Sequence, residues 1–378
     1  MQITVLKEND ANEARVALVP ESVKKLVAMN VSVAIESGAG LLASINDADY
    51  AAVGATLTSD RPGLLASTDI LLAVNRPGDD VIDGLKKGAI VIAFLRPLDE
   101  PKKMEQLIAR GLTALAIELI PRTTRAQSMD ALSSMATIVG YKAVLMAAER
   151  MPRMFPMLTT AAGTVPPARV LILGAGVAGL QAIATARRLG AIVEGFDVRA
   201  AAGEAVRSLG ARFLEVDMGG VQTEDAGGYA REVTEEVMDR SRELIAKQAV
   251  LTDCIVTSAQ VPGKRAPILV TEQAVSAMKR GSVIVDLAGA TGGNCALTRP
   301  GEEIEVNGVR ILAPLNLAAT VPLHASQLYS RNLTSFLSIL IKDGQLNLDF
   351  NDDIIGPSCA VHQGQAIEPR LKAALTVN

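Results

Sequence analysis

Between Arg169 and Arg199 the pattern of apolar residues changes twice. Val170–Leu173 is a short, unbroken apolar run, which reads as a strand buried on both faces. Gly174-x-Gly176-x-x-Gly179 follows at once, then an Ala-rich helical stretch to Leu189, a stop at Gly190, and a second strand ending on Asp197. Upstream, short β-like runs at Ile3–Leu6, Val31–Glu36, Ile70–Val74, Ile90–Phe94 and Thr113–Glu118 alternate with helical stretches such as Glu21–Met29 and Pro101–Arg110. That alternation predicts a parallel sheet flanked by helices, an α/β domain of its own. Downstream, strands are expected at Ala211–Asp217, Cys254–Ser258 and Ser282–Leu287, and helices at Leu132–Arg150, Glu232–Ala249 and Ala325–Ile341. Met151–Pro167 carries four prolines and reads as a linker. Gly219–Gly228 is long and soft enough to be a lid, or else a plain surface excursion.

The glycine spacing matters because its whole strand–helix–strand context is present, as a dinucleotide site requires. Gly174 allows the tight turn, Gly176 lets the backbone approach a pyrophosphate at the N-terminus of the helix opening at Val177, and Gly179 lets helix and strand pack closely. The bland alternative is a glycine-rich turn without a ligand. Asp197, at the end of the second strand, suits both adenosine ribose hydroxyls and repels a 2′-phosphate, favouring NAD(H) over NADP(H), although Arg199 stands two residues on. Val198 lies between them. Ser258-Ala259-Gln260, at the exit of a later strand, falls on the same cofactor edge. In the first domain, the polar segment Arg122-Thr123-Thr124-Arg125-Ala126-Gln127-Ser128-Met129-Asp130, continuing to Ser133, follows a strand directly. It reads equally as a solvated loop with a helix cap and as a grip on a carboxamide, ribose and pyrophosphate. The expected architecture is α/β: two Rossmann-like lobes, each a mostly parallel sheet flanked by helices, with a nucleotide cleft between them. The first lobe is expected at 1–131 plus 322–378, an interdomain helix at 132–150, and the NAD(H)-binding lobe at 151–321.

Composition narrows the chemistry. A net charge of -4 with no basic run gives no reason to expect nucleic acid or an anionic membrane as partner. The N-terminus lacks a signal-peptide pattern, and no apolar run approaches the roughly 18 residues of a membrane span. Cys254, Cys295 and Cys359 are scattered, outside any metal-binding spacing, and fit a reducing cytoplasm. Only two histidines exist, His324 and His362. A dehydrogenase acting on an alcohol or amine moves a proton with the hydride and commonly uses His or Lys for it. Hydride exchange between two nicotinamides needs no such group.

Several segments together resemble the NAD(H)-binding component, domain I, of the proton-translocating nicotinamide nucleotide transhydrogenases. They are Pro121-Arg-Thr-Thr-Arg-Ala-Gln-Ser-Met-Asp-Ala-Leu-Ser-Ser, Gly140-Tyr141, Thr160-Ala-Ala-Gly-Thr-Val-Pro-Pro-Ala, Gly174-Ala-Gly-Val-Ala-Gly-Leu-Gln-Ala and Gly227-Gly-Tyr-Ala, joined by Val261-Pro-Gly-Lys and Gly292-Gly-Asn-Cys. The resemblance implies a dimeric component that holds NADH, a separate component that brings NADP(H), and a membrane component that couples the transfer to protons. The chain would then sit at the cytoplasmic or matrix-equivalent face, peripheral to the membrane through its partners. By the same resemblance, Arg122, Gln127, Asp130 and Ser133 position the nicotinamide, its ribose and the phosphates, with Gln127 also touching the incoming NADP(H). Tyr141 lies beside them. Val177 and the glycines match the pyrophosphate turn, and Asp197, Val198 and Arg199 the adenosine end. Gly228 and Tyr229 match a loop that closes over the nucleotide. Gln260 stands where the family commonly has Leu.

Alanine dehydrogenase is similar in fold and shares the opening Lys7-Glu8…Glu13-x-Arg15-Val-Ala-Leu. Of the four groups with which that enzyme binds and protonates its oxoacid, Arg15 is present. The lysine position falls on about Ala73, the histidine on Arg96 and the aspartate on about Ala290. A non-catalytic NAD(H)-binding regulatory subunit is the remaining alternative, since it too needs no proton donor.

Overall fold

The computed structural model describes residues 1–216, 234–261 and 264–376. It divides into two compact units, 1–135 with 318–378, and 136–317. In the first unit, strands β1 (Gln2–Val5), β2 (Ser32–Glu36), β3 (Thr56–Thr58), β4 (Ile70–Asn75), β5 (Ile90–Phe94) and β6 (Thr113–Ala116) pair in parallel. Their unbroken apolar runs follow from helices on both faces: Ile70–Val74 and Ile90–Ala93 are all buried. β3 is absent from the sequence reading because Thr-Leu-Thr is too short and polar for its pattern to register.

In the second unit an exposed hairpin, β7 (Leu158–Thr160) with β8 (Gly163–Val165), occupies much of the segment read as a linker. That reading is corrected: the prolines flank the ladder rather than interrupt it, so the strands between them can pair. Then come β9 (Arg169–Leu173), β10 (Ile192–Phe196), β11 (Arg212–Leu214), β12 (Cys254–Thr257), β13 (Val283–Asp286), β14 (Glu303–Val306) and β15 (Val309–Leu312). They form one sheet in the order β11-β10-β9-β12-β13-β15-β14, parallel except for β14. Strand order reverses at β9, which has β10 on one side and β12 on the other, so the switch point lies at the carboxyl end of β9.

The chain then returns to the first unit. After a two-residue ladder, β16 (Ile341–Lys342) with β17 (Gln345–Leu346), β18 (Cys359–His362) adds antiparallel to β6, and β19 (Gln365–Ala366) closes that edge. Three helices matter for the site: α1 (Ala131–Arg150), α2 (Val177–Arg188) and α3 (Pro322–Leu340). α1 is long and apolar enough to cross a membrane by length and composition, contrary to the expectation from unbroken runs. Ser133, Ser134, Thr137 and Lys142 break the run while leaving the mean hydropathy high. Ala143, Val144 and Ala147 of α1 are fully buried in the core of the second unit, which accounts for its apolar character.

Candidate functional site

The glycine turn of the second unit is built by close approach. Gly174 has φ +96, and a Cβ there would stand 2.9 Å from the Ala259 nitrogen. A Cβ at Gly179 would stand 1.8 Å from the Gly174 carbonyl oxygen, so α2 lies directly against the turn. Gly176 is different: among the described residues, a Cβ there meets nothing within 4 Å. It is also the N-cap of α2 and, being glycine, offers no side-chain acceptor to the N–H groups of the first turn. Gly140 of α1 seats against the same turn; a Cβ there would stand 2.1 Å from the Ala178 carbonyl oxygen.

Asp197 closes the other side of the turn and is buried. Its Oδ2 accepts from the Ala175 N–H at 2.7 Å and from Arg199 Nη2 at 2.8 Å. Oδ1 accepts from the Arg199 N–H and from Arg199 Nε, both at 2.9 Å. Val198 between them is half-buried.

A second buried carboxylate, which sequence reasoning missed, organises the β12 and β13 exits. Asp286 accepts from Thr257 Oγ1 at 2.8 Å and the Ala288 N–H at 3.0 Å. Its other oxygen accepts from the N–H groups of Asn294 (2.7 Å) and Cys295 (2.9 Å) and from Thr298 Oγ1 (2.5 Å). Asn294, thus fixed, accepts from the Ala259 N–H at 3.0 Å and donates to the Ala259 and Pro267 carbonyls, both at 2.8 Å. Ser258 donates its hydroxyl to the Gly174 carbonyl at 3.2 Å. Ser258, Ala259 and the exposed Gln260 are therefore held beside the glycine turn. The signal was available: Asp286, like Asp197, is a carboxylate directly after an apolar strand. Tyr141 is exposed on α1. Gly228 and Tyr229, with the expected lid, lie outside the described residues.

In the first unit, the Arg122–Ser133 segment is a 3-10 turn (Thr124–Met129) leading into α1. Asp130 gathers its neighbours: it accepts from the Ser133 N–H at 2.8 Å and from the Ser133 hydroxyl at 2.5 Å, and Arg122 Nε lies 3.8 Å away. Asp130 thus caps α1, as one of the two readings of this segment expects. Thr123, Thr124 and Gln127 are exposed. Arg125 pairs with Asp352 at 2.5 Å and with Asp353, tying the segment to the returning tail.

At the carboxyl edge of the first sheet, Arg15 is buried and doubly bonded to Glu13, through Nε at 2.7 Å and Nη2 at 2.6 Å. Asn75 donates to the same carboxylate at 2.8 Å. Ala73 lines a cavity of about 320 Å3 beside it. Arg96 adopts the left-handed conformation, φ 53, and its N–H and that of Leu95 (2.9 Å) donate to one oxygen of Glu118. The other Glu118 oxygen is buried with no hydrogen-bond partner among the described residues. Burial pushes this carboxyl up from 4.5 to about 7, and burial does the same to Glu8, which faces Glu13 and Arg15. A folded-state carboxyl raised in this way holds its proton where the unfolded chain has lost it. Stability therefore falls as pH rises from about 4.5 through about 7. Glu118→Gln keeps an acceptor for the two N–H groups without the charge. It is expected to stabilise the first unit by about 1 to 3 kcal/mol at pH above that window and to flatten the slope. Urea titrations across the window check this; an unchanged slope refutes it.

Two mostly parallel sheets flanked by helices, one carrying a glycine turn and a buried acid at its switch point, define a nicotinamide-nucleotide dehydrogenase fold. The alanine dehydrogenase/PNT N-terminal domain model matches residues 4–139, and the alanine dehydrogenase/PNT C-terminal domain model residues 143–369. The chain is 46% identical to the first of the polypeptides that make up the NAD(P) transhydrogenase subunit alpha of Rhodospirillum rubrum, over 98% of this chain and 99% of that one. It is 42% identical to the Haemophilus influenzae NAD(P) transhydrogenase subunit alpha, over 98% of this chain and 72% of that one. A solved transhydrogenase structure from Sinorhizobium meliloti superposes with a TM-score of 0.85 at 41% identity, covering 98% of this chain and 99% of that one. An L-alanine dehydrogenase structure gives the same TM-score at 27% identity, covering 100% of this chain and 99% of that one. The chain belongs to the alanine dehydrogenase/PNT family, on the side of its transhydrogenase α subunits.

Proposed function

We propose that this chain binds NAD(H) in its second unit and exchanges hydride with NADP(H) held by a partner component, within a proton-translocating transhydrogenase. The observation that carries this reading is the glycine turn around Asp197, in a chain similar along its whole length to transhydrogenase α subunits. The residues present fit the nucleotide: among the described residues nothing lies within 4 Å of a Cβ at Gly176, the N-cap of α2, where a pyrophosphate finds N–H donors and a favourable dipole. A dihydronicotinamide, once bound, supplies the hydride. The chain's own task is binding and orientation, with Arg122, Gln127, Asp130 and Ser133 at the nicotinamide end and Asp197 at the adenosine end.

Arg15 supports this reading over oxoacid reduction. Its Nε and Nη2 are already committed to Glu13, and Ala73 and Arg96 stand where a lysine and a histidine would be needed. A homodimer fits the exposed hairpin: no charge occurs from Met154 to Ala168, and Met154, Met157, Leu158 and Val165 are exposed. A second copy is an apt cover for such an arm.

Mixed with an NADP(H)-binding transhydrogenase component, the protein is expected to exchange hydride between an NADH analogue and NADP+. No exchange at saturating partner defeats the proposal, and NADH binding without exchange favours a regulatory subunit. Gln127→Asn is expected to slow the exchange about tenfold or more while the Kd for NADH stays within about twofold, since a misplacement on the scale of one methylene costs on this order. A large loss of NADH affinity would instead remove Gln127 from the transfer step.

A further inference from the structure

We propose that Arg199 gates the adenosine-ribose subsite, occupying in the free protein the acceptor positions that the ribose takes in the complex. The inference deepens the NAD(H) reading and rests on it. An ionised carboxylate offers about four acceptor positions, and all four on Asp197 are filled. Two are filled by main-chain groups that cannot leave: the Ala175 N–H on Oδ2 and the Arg199 N–H on Oδ1. The other two are filled by the Arg199 side chain, Nε on Oδ1 at 2.9 Å and Nη2 on Oδ2 at 2.8 Å. Only the side chain can move, and its departure frees one position on each oxygen. That is the pattern a ribose cis-diol requires, one hydroxyl to each oxygen. The guanidinium and the diol are both two-pronged donors, and they compete for one carboxylate.

The gate also bears on selectivity. In the free protein the subsite presents a neutral ion pair, with the Arg199 side chain 17% and the Asp197 side chain 6% exposed. Repulsion of a 2′-phosphate is complete only when the guanidinium is gone. A residue of this type at this place is ordinarily read as a direct contact to nucleotide, which gives the opposite sign on removal.

The test is nucleotide affinity of the full chain, read by NADH fluorescence and by competition with 5′-AMP and 2′,5′-ADP. Arg199→Ala is expected to tighten NADH and 5′-AMP about tenfold, equivalent to about 1.4 kcal/mol, and to weaken 2′,5′-ADP. Arg199→Lys, which keeps a cation but loses the fork, is expected to fall between wild type and Arg199→Ala and serves alone if the alanine variant fails to fold. Unchanged or weaker NADH and 5′-AMP binding in the variants overturns the gate while leaving the NAD(H) reading standing. Wild-type protein that binds no NADH, or NADH that 5′-AMP does not displace, overturns both.

Discussion

Gly179→Ala is expected to weaken NADH binding and to destabilise the second unit, whereas Gly176→Ala is expected to weaken binding alone, by about 100-fold. The two glycines share a motif but have different surroundings. The Cβ added at Gly179 would lie 1.8 Å from the Gly174 carbonyl oxygen and 2.9 Å from its carbonyl carbon, both backbone atoms of the turn itself. Neither can yield without moving α2 away from β9, and overpacking of this kind costs on the order of 3 kcal/mol. At Gly176 the Cβ meets no described residue within 4 Å, so the described fold has no reason to respond. A pyrophosphate approaching that backbone does, and a loss of about 100-fold in affinity corresponds to about 2.7 kcal/mol of lost contact. Thermal melts paired with NADH titrations separate the two effects. Wild-type affinity in Gly176→Ala would mean that the phosphates lie elsewhere, and a wild-type melt in Gly179→Ala would mean that the turn is looser than the structure has it.

Asp286→Ala is expected to lower the stability of the second unit by on the order of 4 kcal/mol. The fully buried carboxylate accepts five hydrogen bonds, three from main-chain N–H groups of residues 288, 294 and 295. Truncation leaves those donors without an acceptor in the interior, and each unsatisfied buried group costs about 1 to 3 kcal/mol. The damage travels through Asn294, which no longer has a fixed backbone from which to hold Ala259. Nucleotide affinity is therefore expected to fall together with stability. Asp286→Asn, which preserves the shape and two of the acceptor positions, is expected to lose about half as much. Calorimetry that shows no weakening in the alanine variant would refute this account of the β13 exit.

Much of this was legible from residue pattern because the physics was local. The run Val170–Leu173, the glycine spacing and the acid ending the next strand declare strand, turn, helix and strand without reference to anything distant. Elements that depend on distant partners were not legible. Thr56–Thr58 becomes a strand because β2 lies beside it, and β18 because β6 offers a free edge 240 or more residues upstream. Asp130 and Ser133 could be read as cap or as ligand from sequence, and the structure supplies the cap contacts. Arg199 shows a deeper limit. Its identity suggests a contact to phosphate, and only its three contacts with Asp197 reveal that it already has a partner.

The return of the chain to the first unit sets an order of events at the ribosome. The second unit is one continuous stretch, complete once Leu317 has emerged. The first unit needs the closing segment, Ala318–Asn378. On α3, the Ser326 and Ser330 hydroxyls accept from the Val16 and Val19 N–H groups, and Tyr329 donates to the Ala73 carbonyl. Among the described residues β18 pairs with β6, made long before it, and with its own hairpin partner β19. The nascent chain thus carries an open sheet edge beside β6 until β18 has emerged, and the first unit is finished only after the second. Long-range closure of this kind is slow and leaves strand edges exposed meanwhile. Termination between Ala318 and Asn378 would accordingly leave the first unit unfinished while leaving the glycine turn intact.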